Sequence, residues 1–98
     1  MSANAGFDVA AHLDGLLLGR IQAGDQSGLS ALYDSRARLI FSVILNIVRN
    51  NDDAEEITQA VFMRIWEKAQ SFDPAKGSVL AWIVTIARRL AIDRTRSK

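Results

Sequence analysis

The chemistry-bearing residues of this sequence crowd toward its end. Arg88, Arg89, Arg94, Arg96 and Lys98 close the chain, and Phe72 and Trp82 stand just ahead of them around a turn-forming stretch, Phe72-Asp73-Pro74-Ala75-Lys76-Gly77-Ser78. Guanidinium groups pair with phosphate oxygens in a fork geometry, and each neutralised phosphate releases counterions, so such a cluster suits a nucleic-acid backbone. Aromatic faces stack on unpaired bases. Trp82 therefore has two readings, a stacking platform or a core side chain, and the composition leaves both open. A basic helix end also has a plain reading, since cations complement the helix dipole there.

The charge distribution supports a polyanion partner for this end. Up to Met63 there are four Lys or Arg against eight Asp or Glu, a net of −4; from Arg64 onward there are eight against three, a net of +5. The acidic part implies a separate role. Its quartet Asp52, Asp53, Glu55 and Glu56 follows Asn50-Asn51, and helix N-termini attract carboxylates for electrostatic reasons alone, so no metal site or acid–base pair is read there. His12 is the only histidine and cysteine is absent. Without a phosphate loop, a nucleophile elbow or metal-spaced histidines, an enzyme is not expected, nor is a cofactor. No run of about 18 apolar residues is present, and Met1-Ser2-Ala3-Asn4-Ala5-Gly6 lacks the pattern of a secretion signal, so a cytoplasmic protein without membrane insertion is expected.

The elements that must position these residues are all helical. Residues 1–11 are weakly patterned and read as a weakly ordered segment, with a single domain over 12–98. A first helix over 12–23 places Leu13, Leu16, Leu17 and Ile21 at helical spacing, stopped by Gly24 with Asp25 capping the next. A second over 26–49 carries Leu29, Leu32, Tyr33, Leu39, Ile40, Val43, Ile44, Ile47 and Val48 on a core-facing stripe. The third starts at Asp52 or Asp53 and runs to about Gln70. It turns Ala54, Ile57, Val61, Ile65 and Ala69 inward with Phe62 and Trp66 flanking, leaving Asp53, Glu56, Gln59, Met63 and Arg64 outside. Ser78 caps a fourth helix over 78–96, whose apolar side is Leu80, Ile83, Val84, Ala87 and Ala91. With no β-alternation and no repeat, the expected architecture is an all-α, compact four-helix bundle.

Taken in order, Gly24-Asp25, Ala31-Leu32-Tyr33-Asp34, Asp53-Ala54-Glu55-Glu56-Ile57-Thr58-Gln59, Phe62-Met63-Arg64-Ile65-Trp66, the 72–78 stretch, Ala81-Trp82-Ile83, Ile86-Ala87-Arg88 and Ala91-Ile92-Asp93-Arg94 resemble region 2 of extracytoplasmic-function sigma factors. The resemblance implies a transcription initiation factor whose third helix docks on the RNA polymerase β′ clamp through Asp53, Glu56, Gln59, Met63 and Arg64. It implies that the 72–78 loop and the last helix recognise and melt the promoter −10 element by flipping a non-template base into a pocket. Phe72, Lys76, Gly77, Ser78, Trp82, Thr85, Arg88, Arg89, Arg94 and Arg96 are the residues implied for that strand. An anti-sigma factor that holds the domain with both faces hidden is the implied alternative partner.

Two departures bear on this. Gln59-Ala60 stands where many relatives have Gln-Glu, and Arg88-Arg89 where many have Arg-Asn, so clamp docking carries over but the preferred −10 sequence does not. Region 4, the −35 reader, has no counterpart before Lys98, and a fragment of a longer protein is expected.

Overall fold

Side-chain caps set where each helix begins. The computed structural model describes residues 8–97. It holds four helices, α1 (Val9–Gln22), α2 (Gln26–Val48), α3 (Asn51–Lys68) and α4 (Val79–Arg96), with short 3-10 turns at Ala69–Ser71 and Pro74–Lys76. No strand occurs among the described residues, and the fold is the all-α four-helix bundle read from the sequence. Asp8 accepts from the Ala11 amide at 3.1 Å, Asp25 from the Ser27 amide at 2.9 Å, Asn50 from the Asp53 amide at 2.8 Å and Ser78 from the Ala81 amide at 3.1 Å. Each satisfies an amide that the first helical turn leaves without an internal partner.

Two boundaries differ from the sequence expectation because of these caps. Helix α1 begins at Val9, so 9–11 are helical rather than weakly ordered; residues 1–7 and 98 lie outside the described residues. Helix α3 begins at Asn51 because Asn50, not an aspartate, is its cap, which leaves Asp52 and Asp53 inside the first turn where the helix dipole favours them. The chain passes from α2 to α3 through Arg49 in the left-handed region, φ 56° and ψ 35°.

Helix α2 is the central element, and its buried Leu32, Ile40 and Ile44 join residues from the other three. Every inward residue expected of α3 is buried. On α4, Val79, Ile83, Ala87 and Ala91 are buried, while Leu80 and Val84 are half-buried. Helix α1 departs from expectation. Leu13 and Leu16 are exposed, 40% and 56%, and the inner face is Asp14, Leu17, Leu18 and Ile21. Tyr33 and Leu39 of α2 are also partly exposed, 40% and 42%.

The cause on α1 is one ion pair. Arg36 of α2 donates from Nε and Nη2 to the two carboxylate oxygens of Asp14, at 2.9 and 2.7 Å, with Asp14 1% exposed. The bidentate match holds α1 in the phase that buries Asp14, and Leu13 and Leu16 rotate outward as a consequence. The hydrogen bond to Asp14 raises the Arg36 pKa above its ordinary value, against the opposing effect of burial. Close approach of the same two helices is permitted by Gly28, where an added Cβ would lie 2.7 Å from Arg20 Cβ and 3.1 Å from the Leu17 carbonyl oxygen.

Candidate functional site

The loop between α3 and α4 is built by local hydrogen bonding. The Asp73 carboxylate accepts from the Ala75 amide at 2.9 Å, Pro74 opens the 3-10 turn, and the Lys76 amide donates to the Asp73 carbonyl at 3.0 Å. Gly77 then adopts φ 140°, ψ −174°, a backbone conformation that side chains with a Cβ rarely take. Space is not the constraint, since nothing lies within 4 Å of a built Cβ there. This turn delivers the chain to Ser78, the α4 cap.

A cavity of about 260 Å³ opens beside the turn. It is lined by Ser71, Phe72, Asp73, Lys76, Gly77, Ser78, Ala81 and Trp82. Phe72 and Trp82 meet edge to face, centroids 5.5 Å apart and planes at 64°. Both rings are half-buried and rest on the core while also lining the cavity. The two readings of Trp82 thus describe two sides of one ring. Five of the residues singled out in sequence, Phe72, Lys76, Gly77, Ser78 and Trp82, converge here. Ser71, Asp73 and Ala81 were missed, although the spacing of Ala81 three residues after Ser78 puts it on the same side of α4.

Along α4, Ser78, Ala81, Thr85, Arg88, Arg89 and Arg96 are all exposed. At 3.6 residues per turn they fall within an arc of about 100°. The cavity and the cations therefore share one face, with three arginines running away from the cavity mouth. The Thr85 hydroxyl donates to the Ala81 carbonyl at 2.9 Å along that face.

Arg94 does not belong to it. Nine residues beyond Thr85, it sits about half a turn away, in phase with the buried Ile83 and Ala87. Its guanidinium donates to Asp53 Oδ1 at 2.9 Å and to Glu56 Oε1 at 2.8 Å, joining the last turns of α4 to the first turns of α3. The hydrogen bond to Glu56 and the charges of both carboxylates raise the Arg94 pKa, opposed by partial desolvation.

On α3 the expected outer residues split in the same way. Glu56, Gln59, Met63 and Arg64 are exposed, with Met63 at 58%, whereas Asp53 is half-buried under Arg94. Arg64 lies 3.6 Å from Glu67 with both side chains near half exposed, a contact that contributes little in water. Glu56, Gln59 and Met63 form a strip of one carboxylate, one amide and one soft apolar side chain, suited to a partner with both cationic and apolar groups. Among the described residues no group of three or more His, Asp or Glu could hold a metal ion. No helix among them is long and apolar enough to cross a membrane.

The family model for Sigma-70 region 2 matches residues 32–98. The chain is similar to the ECF RNA polymerase sigma factor SigK of Mycobacterium tuberculosis H37Rv, 38% identical over 80 residues covering 82% of this chain and 43% of that protein. The SigK of Mycolicibacterium vanbaalenii is 37% identical over 90 residues, 92% of this chain and 45% of that protein. The chain spans less than half the length of these curated relatives.

Proposed function

Because this chain belongs to the sigma-70 region 2 family, we propose that it serves in a transcription initiation factor, docking on the β′ clamp of RNA polymerase and capturing the non-template strand of the promoter −10 element. The name of these relatives, ECF RNA polymerase sigma factor, supports polymerase as the partner. The observation that carries strand capture is the aromatic-lined cavity at the head of a basic face. A base flipped from the stack enters the cavity beside the Phe72–Trp82 pair, where Lys76 also lines the wall. Arg88, Arg89 and Arg96 hold the backbone that runs on from that base, and Arg94, engaged by Asp53 and Glu56, is left out of that set. Duplex readers instead lay a helix or ribbon of polar side chains along base edges in the groove, whereas here the polar and aromatic side chains line a cavity beside a turn.

The docking half of the proposal uses Glu56, Gln59, Met63 and Arg64, with Asp53 behind them. No step of covalent chemistry is involved. Binding energy on two faces holds the strand open relative to the polymerase.

Substitutions that keep apolar bulk but remove the aromatic face test the capture step. Phe72→Leu and Trp82→Leu should each weaken binding of a labelled single-stranded −10 oligonucleotide, by about 1–3 kcal/mol where the ring stacks on a base. Thermal melting measured beside it separates the roles of Trp82, since loss of packing alone lowers stability without selectively lowering affinity. Wild-type affinity in both variants would refute the cavity as the base site.

A further inference from the structure

Within the exposed strip of the proposed docking face, Glu56 differs from Gln59 and Met63 in being held. Its side chain is 72% exposed, so a free glutamate there would sample many rotamers, yet one carboxylate oxygen accepts from Arg94 Nη2 at 2.8 Å. Arg94 is itself held from the other side by Asp53, 20% exposed, at 2.9 Å. The arginine stem lies in phase with the buried face of α4 and its planar fork spans two acids one turn apart on α3, an arrangement that a lysine's point charge cannot reproduce. Asp53 anchors, Arg94 bridges, and the exposed Glu56 keeps a second carboxylate oxygen that Arg94 does not engage.

We infer that Arg94 is a positioning residue for polymerase docking: it orients the Glu56 carboxylate toward the partner and makes no contact with DNA. This rests on the proposed docking role of Glu56. A carboxylate fixed before the encounter loses less side-chain freedom when a cation of the partner binds it. The same bridge fixes the end of the strand-binding helix to the docking helix, so the two proposed faces are joined through one guanidinium.

A double-mutant cycle on the whole chain tests this, with affinity for a fragment carrying the β′ clamp coiled coil as the readout and melting as the fold control. Glu56→Gln should weaken binding about tenfold. Arg94→Met should weaken it about three- to tenfold in the wild-type background but less than about twofold when Glu56→Gln is already present, since the carboxylate that Arg94 orients is then gone. Arg94→Lys, which keeps the charge without the fork, should fall between wild type and Arg94→Met, and it replaces Arg94→Met in the cycle if that variant does not fold. Single-strand binding and its salt slope should not change. Equal losses from Arg94→Met in the two backgrounds would overturn the inference, as would a salt slope flatter by one phosphate contact. Unchanged clamp affinity in Glu56→Gln alone would instead overturn the docking role itself, and the inference with it.

Discussion

Replacing Arg36 by Met removes the partner of a carboxylate that the fold has taken out of water. Asp14 is 1% exposed and receives two charge-assisted hydrogen bonds, at 2.9 and 2.7 Å, both from Arg36. Methionine fills the space of the arginine stem but donates nothing. Breaking a buried pair from one side leaves an uncompensated charge and costs about 3–5 kcal/mol. For a domain of this size each kcal/mol lowers the melting temperature by about 4–8 °C, so Arg36→Met should lose at least about 12 °C. Asp14→Leu together with Arg36→Met removes both charges, and an apolar pair of similar volume is often neutral or stabilising by about 1–4 kcal/mol. The double variant should therefore melt well above Arg36→Met. Calorimetric melting of wild type, both single variants and the double variant decides this. A double variant no more stable than Arg36→Met would refute the uncompensated charge as the origin of the loss.

Gly28→Ala should destabilise the domain by about 1–3 kcal/mol, because the new methyl meets Arg20 Cβ and the Leu17 carbonyl and forces α1 from α2; unchanged melting would show that α1 moves freely. The Ser27 hydroxyl and amide hydrogen bonds hold the Asp25 carboxyl below its ordinary 3.8. A lowered folded-state pKa means the contribution of this cap is complete above the ordinary carboxylate range and is lost as pH falls through the lowered value. Asp25→Asn should thus flatten the acid side of the stability curve, measured by denaturant unfolding between about pH 2 and pH 6. Affinity for a single strand should fall with salt with a slope of about −0.7 per contacted phosphate, and Arg88→Ala, Arg89→Ala or Arg96→Ala should each flatten it by one contact wherever that side chain meets phosphate. A slope near zero would remove the basic face from the account.

Much of the bundle was legible because its signals are local. The α3 stripe from Ala54 to Ala69 repeats at helical spacing with nothing to confuse it, and Asp25 and Ser78 are caps whose bonds reach two or three residues ahead. Helix α1 was not, because Leu16-Leu17-Leu18 offers three adjacent apolar phases, and what selects among them is Arg36, 22 residues from Asp14. The cavity was legible in outline for the same local reason, since a Pro turn, a Gly and a helix cap lie within one short segment. Arg94 illustrates the opposite case. Its type groups it with Arg88, Arg89 and Arg96, but its phase on α4 separates it from them, and its partners lie 41 and 38 residues away. Helical phase, applied to the charges as well as to the apolar residues, would have set it apart. The exposed Tyr33 shows the limit of periodicity alone. It sits on the stripe but at its edge, meeting Phe62 edge to face with centroids at 4.9 Å.

The central claim is that an aromatic cavity and a basic face together capture one unpaired strand. The most direct measurement is the affinity of the whole chain, bound to its clamp fragment, for the −10 non-template sequence as a single strand and as the matched duplex at one salt concentration. The account predicts tighter binding to the single strand, with removal of one base from a single position abolishing most of the difference, because the proposed capture places a single base in the cavity. Equal or tighter binding to the duplex would contradict it.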